Sequence, residues 1–472
     1  MKFNSATTLQ MKLQFLRSSL ADSTNKKIFR AAFIVGFLGI FAKAGIAAKE
    51  LIVAQAFGRS DTLDAFLIAF LLPSFVMNLL MGALGSALIP VLIEERRKES
   101  PDESVRLLSS LIFLSVCALG ATAILLGLLA PFYLPWLGSN FSPAKLLLTR
   151  QLLYALVPFV VFGGIAVFLS VVLNAGEKFA LPALVPLFTP LITIAFVVLA
   201  SRAWGAWSLA AGTVVGSFFE SVILLRILKA HGIKLNLKWS GLDAPLRRVL
   251  GQYAPMLAGT FLMGATGVVD QSMAAMLSAG SVSALSYANK ITGAFLAISA
   301  TALGTAALPY FSKMVAENDW QGCVHTLKRY TLLLAAITIP FTLVLAAFAG
   351  PLIKLLFQRG AFTTVDTQLV GRVLMCYSLQ IPFYVCSMLL VRFLSAMRRN
   401  DLLMYAAVVS LVLDIVLNLV LMRRWGIAGI ALSTSLVYAA SFLFVAICSW
   451  WLLSRFNGNE QKVGSGAVNS KP

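Results

Sequence analysis

The sequence predicts an all-α polytopic membrane protein, with about 12 transmembrane helices arranged as two parallel six-helix bundles around a central cavity. Three observations carry that expectation. Of 472 residues, 59% are hydrophobic and only 12% are charged, where an ordinary soluble domain carries roughly 25% charged residues. Long apolar runs recur from about residue 28 to residue 455. The two halves of the chain also share short stretches of text in register.

A spanning helix needs about 20 apolar residues. Twelve segments meet that length, at 28–57, 62–93, 104–132, 144–174, 179–200, 205–230, 246–279, 282–314, 325–357, 365–397, 402–422 and 426–454. Pro73, Pro158, Pro190 and Pro340 fall inside them, which predicts kinked or tilted helices. With a mean hydropathy of +0.87, the composition excludes a soluble enzyme, a disordered chain and a secreted disulfide scaffold. Connecting loops are too short for a folded extramembrane domain, and no GxxxxGK[ST] run marks a P-loop ATPase.

The repeat is specific in its small residues and proline. Ala83-Leu84-Gly85-Ser86-Ala87-Leu88-Ile89-Pro90 matches Ala302-Leu303-Gly304-Thr305-Ala306-Ala307-Leu308-Pro309, and Phe168-Leu169-Ser170 matches Phe393-Leu394-Ser395. Six spans per half is an even number, so the halves are expected to be parallel repeats with a binding site between them near mid-membrane, working by rocking. The predicted organisation is an N-terminal segment 1–27, a first bundle 28–230, a linker 231–245, a second bundle 246–455 and a tail 456–472.

The net charge of +19 comes from 38 Lys and Arg against 19 Asp and Glu. In a soluble protein that excess would suggest nucleic acid; here its distribution reads as topology instead. With the N-terminus inside, 26 of the basic residues fall on the inner side and nine on the outer side. By the positive-inside rule both termini are expected in the cytoplasm. Residues 1–27 are polar and basic, unlike a cleavable signal peptide. Leu9, Leu13, Leu16 and Leu20 would share one face of a surface helix there, and a disordered tail is the alternative. The five cysteines are scattered without CxxC pairing, and His231 and His325 stand alone, so no catalytic zinc site is expected.

Charges inside apolar spans are costly, about 2.5–3.5 kcal/mol for a Lys at a helix centre on insertion scales. Lys43 and Lys49 in the first span and Lys290 in the eighth are such charges. Lysines around a watery cavity suit an anionic cargo such as a phosphate or diphosphate, which they bind as compact point charges. Pairing of Lys49 with Glu50, or snorkelling, is the competing reading. Asp270, Asp414, Asn418 and Thr434 form a second group, from three spans of the second half. Their oxygens could cage a sodium ion or bind a proton, or simply hydrogen-bond helix to helix. Glu220, in the sixth span, has no evident partner in the sequence.

Several runs resemble the MurJ/MviN-type lipid II flippases of the multidrug/oligosaccharidyl-lipid/polysaccharide exporter superfamily. They are Ala48-Lys49-Glu50-Leu51-Ile52-Val53-Ala54 with Phe57-Gly58, Asp64-Ala65-Phe66 and Pro73; Gly280-Ser281-Val282-Ser283-Ala284-Leu285 with Tyr287-Ala288-Asn289-Lys290; and Leu356-Phe357-Gln358-Arg359-Gly360-Ala361-Phe362-Thr363. The resemblance covers about residues 28–455. It implies a flippase in the bacterial inner membrane that moves an undecaprenyl-diphosphate-linked glycan from the inner to the outer leaflet by alternating access. The cargo would be the peptidoglycan precursor lipid II or an exopolysaccharide or O-antigen repeat unit. Lys43, Lys49 and Lys290 stand where the family's arginines engage the diphosphate, and Asp64 matches its acidic residue. Met77, followed by Asn78, stands where another arginine is expected. The family's sodium pattern maps onto Asp270, Asp414, Asn418 and Thr434, implying Na+ or H+ as coupling ion and no other cofactor. Lipid II flippases usually carry two further helices beyond the twelve spans counted here.

Expected partners are the glycan lipid, the bilayer and other cell-envelope glycan synthesis proteins, with no nucleic acid. The protein is expected not to be an enzyme. A drug/cation antiporter of the same architecture and a membrane-embedded glycan polymerase or ligase are the alternatives. Three cavity lysines argue against a cationic drug, and the longest outer loop, around 132–144, holds neither Arg nor His.

Overall fold

The computed structural model describes residues 38–39, 41–97, 101–176, 180–233 and 237–468. The expected surface helix within 1–27 lies outside the described residues.

The described chain is helical throughout. A first helix, α1, runs over 41–57. It is followed by α2 (Asp61–Arg97), α3 (Pro101–Leu137), α4 (Pro143–Ala175), α5 (Ala180–Leu184), a 3-10 turn (Val185–Leu187), α6 (Phe188–Trp204) and α7 (Trp207–Ala230). The second half comprises α8 (Ala244–Ala275), α9 (Ser281–Ala316), α10 (Trp320–Ala347), α11 (Ala349–Phe357), α12 (Thr364–Ser378), α13 (Gln380–Ala396), α14 (Asn400–Trp425) and α15 (Ile427–Val468). Three apolar runs are each split into two helices. Pro182, Pro186 and Pro190 break the α5–α6 run, Pro351 follows the α10–α11 break, and Pro382 follows the α12–α13 break; each proline lacks the N–H that a continuous helix would use. The final helix continues to Val468, into the stretch read from sequence as a tail.

Nine of the described helices, counting α5–α6 and α12–α13 each as one, are long and apolar enough to cross a membrane. Runs 28–57, 246–279 and 282–314 are outside that set. Only 17 residues of helix are described for α1. Gln252, Thr260, Asp270 and Gln271 dilute α8, and in α9 the side chains of 301–302 and 304–306 lie outside the described residues. Asp270, Ser283 and Thr292 of these two helices are buried within the protein. On the outside, Trp136, Leu199, Leu332 and Ile447 are exposed, as a lipid-facing surface requires.

Helices α2, α3, α4, α6 and α7 pack on one another in the first half, and α9, α10 and α12–α15 do so in the second. One apolar cluster, around Leu88 and Leu169 of the first half, takes in Leu246 and Val249 of α8, and two others, around Phe393 and Leu394 and around Leu345, Ile381 and Val385, lie in the second half. Another is built from both halves, joining Leu63 and Phe66 to Tyr287, Phe357 and Phe362. The seam is closed along α8, which packs against α2. Phe75 stacks edge-on to Phe261 at 5.8 Å, Tyr253 donates to the Leu80 carbonyl at 3.2 Å, and Arg248 pairs with Glu94 at 2.9 Å.

The repeated sequence text is repeated structure. Pro90 in α2 and Pro309 in α9 are both interior to long helices. The α6–α7 turn at Trp204-Gly205 and the α14–α15 turn at Trp425-Gly426 have nearly the same backbone, φ 52°, ψ −133° at Gly205 and φ 55°, ψ −132° at Gly426. Gly58 and Gly280, before the second helix of each half, both have positive φ, 54° and 79°. Only glycine adopts such angles without strain. This glycine correspondence is a repeat that the sequence comparison did not pick out.

Candidate functional site

The halves touch most closely at the end of the molecule that carries Gly58. There the Ala361 N–H donates to the Gln55 carbonyl at 2.9 Å, and the Tyr287 hydroxyl donates to the Gly58 carbonyl at 3.0 Å. Arg59 pairs with Asp366 at 3.0 Å. The same Asp366 completes a capping box with Thr363 at the start of α12, so one carboxylate both caps a helix and holds the opposite half.

Asp64 has a comparable role. The N-cap of α9 is Gly280, which has no side chain with which to cap. Asp64, from α2, supplies the missing carboxylate, accepting from Gly280 N–H at 2.7 Å and Ser283 N–H at 2.8 Å. A negative group at a helix N-terminus is also favoured by the helix dipole. Lys145 approaches the same carboxylate at 3.3 Å. Asp64 is only 1% exposed and is not among the cavity-lining residues. In this structure Asp64 makes a helix-capping contact between the halves.

Behind this closed end lies a cavity of about 820 Å³. Contrary to a site midway between the halves, most of its wall comes from α1, α2, α4, α6 and α7, with α8 and α9 forming one side. Lys49, Glu50 and Lys290 line it together. Glu50 Oε1 takes Lys49 Nζ at 2.8 Å, and Glu50 Oε2 takes Lys290 Nζ across the seam. A buried lone carboxylate would be strongly disfavoured; two ammonium groups compensate it and leave the trio with one net positive charge. The Lys49–Glu50 pair is the competing reading that the adjacent residues offer in the sequence. The bridge to Lys290 was not legible, because it joins residues 240 apart.

Lys43 does not join them. It is exposed on α1 and does not line the cavity: it shares a helix face with Glu50 but sits seven residues, about 10 Å, further along the axis. Met77, at the position where the resemblance implied an arginine, does line the cavity and packs its sulfur beside Gly163. Asn78 also lines it, with its amide donating to the Ser74 carbonyl at 2.8 Å.

The second predicted group assembles more fully. Asp270 of α8 receives Asn418 Nδ2 of α14 on Oδ1 at 2.8 Å and Thr434 Oγ1 of α15 on Oδ2 at 3.1 Å. Asp414, one turn before Asn418, is 1% exposed and lies within electrostatic reach of Asp270. Two acceptors here, Asp414 Oδ2 and Asn418 Oδ1, are buried without a hydrogen-bond partner. Hard oxygen acceptors left without donors are the chemistry a sodium ion or a proton would satisfy. No group of three or more His, Cys, Asp or Glu suited to a metal occurs among the described residues, so any ion here would draw on amide and hydroxyl oxygens as well as carboxylates.

Two packed helical bundles, an internal cavity that carries a charged trio on a largely apolar wall and is closed at one end, and an oxygen-lined pocket in the second half define a multi-pass membrane transporter. The sequence family described as lipid II flippase MurJ matches residues 53–463, and the chain belongs to that family. Among relatives, a probable lipid II flippase MurJ of Bdellovibrio bacteriovorus is 26% identical over 86% of this chain and 79% of its own. The lipid II flippase MurJ of Burkholderia cenocepacia is 28% identical over 75% of this chain and 70% of its own. Among solved structures, a lipid II flippase MurJ in an inward closed conformation superposes with a TM-score of 0.77 at 24% identity, covering 88% of this chain and 87% of that one. An inward-facing multidrug transporter of the MATE family, in the MOP superfamily, gives 0.72 at 11% identity, covering 90% and 99%. The family agrees with the resemblance read from sequence, and it is one of transporters, not enzymes.

Proposed function

We propose that this chain flips lipid II, an undecaprenyl-diphosphate-linked peptidoglycan precursor, from the inner to the outer leaflet of the bacterial inner membrane. The observation that carries this reading is the Lys49–Glu50–Lys290 trio, set in a closed-ended cavity with one uncompensated positive charge. A diphosphate entering the cavity competes with Glu50 for both ammonium groups. The prenyl tail stays in lipid. Release of Lys290 from Glu50 weakens the tie between the halves, so that anion binding favours opening of the Gly58 end.

On this reading both termini are cytoplasmic and the Gly58 end faces outward. The units 28–230 and 246–455 rock about the 231–245 linker. With the cell interior negative, outward movement is favoured by about 2.3 kcal/mol per negative charge per 100 mV. Asp270, Asp414, Asn418 and Thr434 would hold Na+ or H+, which supplies the charge needed to reset the carrier. An exopolysaccharide or O-antigen unit shares the diphosphate chemistry and is the second reading, favoured by Met77 in the cavity wall.

Complementation tests the assignment: a host depleted of its own lipid II flippase should grow when this chain is expressed. Wild-type expression without rescue points to another diphosphate-linked glycan. Rescue that survives replacing both Lys49 and Lys290 by Ala overturns the proposed role of the trio.

A further inference from the structure

Glu220 is the one acidic side chain on the cavity wall that neither the lysine trio nor the ion pocket uses. It sits on α7, half-buried, and lines the same cavity as Lys49 and Lys290. Its Oε1 accepts the backbone N–H of Thr189 at 3.1 Å, at the second position of α6. The Pro182–Pro186–Pro190 break places that helix start inside the membrane-spanning region. The N-terminus of α6 therefore fixes one carboxylate oxygen, and no Lys or Arg among the described residues pairs with the other.

The surroundings differ from those of the lysines. Thr189, whose N–H Glu220 accepts, brings a hydroxyl to this part of the wall, and Thr193, Thr213, Asn174 and Phe159 line the same cavity. Gly280 and Lys145 both meet Asp64 at the Gly58 end; Lys290 is ten residues past Gly280, about 15 Å, and Phe162, which the Ser221 beside Glu220 contacts, is 17 past Lys145, about 26 Å at 1.5 Å per residue. Asn174 is deeper again, at the far end of α4. The cavity thus changes from cationic near its closed end to anionic and hydroxyl-lined further along. That second chemistry accepts hydrogen bonds from hydroxyl and amide N–H groups and packs an apolar face.

We infer that Glu220 anchors a distinct subsite for the sugar portion of the cargo, accepting hydrogen bonds from glycan hydroxyl or N-acetyl N–H groups while Lys49 and Lys290 hold the diphosphate. The inference deepens the proposed function and rests on it for the position of the diphosphate. Glu220 selects for what is attached to the phosphates, whereas the lysines do not distinguish one head group from another.

The test compares two probes on the purified full chain in detergent: undecaprenyl diphosphate without sugar, and lipid II. Glu220→Gln retains an amide oxygen for the Thr189 N–H and so keeps the α6 cap. It should weaken lipid II binding by about tenfold, the scale of a lost charge-assisted hydrogen bond, and leave undecaprenyl diphosphate within about twofold. Glu220→Asp, which keeps the charge but shortens the reach, should fall between wild type and Glu220→Gln. The inference is overturned if Glu220→Gln weakens both probes alike, as a purely structural cap would, or weakens neither. Replacing Lys49 and Lys290 by Ala should weaken both probes. If those variants bind both probes normally, the diphosphate site is elsewhere, and the difference between probes at Glu220 still decides the subsite.

Discussion

Glu50 and Lys290 form an ion pair across the seam between the halves, from positions 240 residues apart, while Glu50 also holds Lys49 at 2.8 Å. Lys290→Ala should therefore do two things at once: remove a cargo contact and leave Glu50 with one ammonium instead of two. Buried pairs broken on one side are destabilised by about 3–5 kcal/mol; the Lys290 side chain is 38% exposed, so a smaller loss, about 1–2 kcal/mol, is expected. Binding of undecaprenyl diphosphate should fall at least tenfold. Lys290→Arg keeps the charge and should retain most binding. Equal binding by the Ala and Arg variants, at equal expression, would remove the trio from the mechanism.

Asp64→Asn tests the cap made between helices. The amide oxygen can still accept one N–H, but Gly280 N–H and Ser283 N–H both lose a charged acceptor and Lys145 loses one of its two carboxylates. A buried donor left unsatisfied costs about 1–3 kcal/mol. The expected result is a lower melting temperature in detergent together with looser closure of the Gly58 end. Closure can be followed by distance measurements between labels placed at the exposed positions 62 and 365, which leave the Arg59–Asp366 pair in place. If Asp64 instead acts on cargo directly, cargo affinity drops while melting and label distance stay as in the wild type.

The oxygen pocket in the second half gives a prediction about salt. If Asp270, Asn418, Thr434 and Asp414 bind Na+, sodium chloride should raise the melting temperature above that in choline chloride at equal ionic strength. Preferential binding to the folded state contributes about 1.4 kcal/mol when the ion is at ten times its dissociation constant. Asp270→Ala removes the acceptor that both Asn418 and Thr434 contact, and the sodium effect should vanish with it. A sodium effect that persists in Asp270→Ala places the ion somewhere else.

Local patterns in the sequence carried the helices, because a spanning segment announces itself by length and hydropathy. The matching stretches ending in Pro90 and Pro309 likewise exposed the repeat. Asp270, Asn418 and Thr434 were legible as a group since each is a polar residue that an apolar span has little other reason to hold. What could not be read was pairing over distance. Nothing local in Glu50 says that Lys290 lies opposite, and nothing in Asp64 says that Gly280 lacks a cap of its own. Lys43 and Lys49 look alike as in-span charges, yet only Lys49 lines the cavity, Lys43 lying about 10 Å along the helix from Glu50. The Thr363–Asp366 capping box was a local signal available in the sequence; its second use, holding Arg59, depends on the fold.

The glycine turns separate backbone strain from contact between halves. Gly58 and Gly205 have nearly equal φ, 54° and 52°, so an alanine at either is strained, by about 1–3 kcal/mol. Their surroundings differ. A Cβ at Gly205 would meet nothing within 4 Å, whereas one at Gly58 would lie 2.3 Å from the Ala361 carbonyl oxygen on the opposite half. Gly205→Ala should therefore lower stability with little change in the closed end. Gly58→Ala should add a clash that only separation of the two backbones relieves, breaking the Ala361–Gln55 hydrogen bond and shifting the molecule toward opening at that end. Gly360→Ala, whose Cβ would lie 2.4 Å from the Gln55 carbonyl oxygen, should behave like Gly58→Ala. Label distances across the seam distinguish these cases directly. If all three variants lose stability equally and none moves the seam, close backbone approach at this end does not hold the halves together.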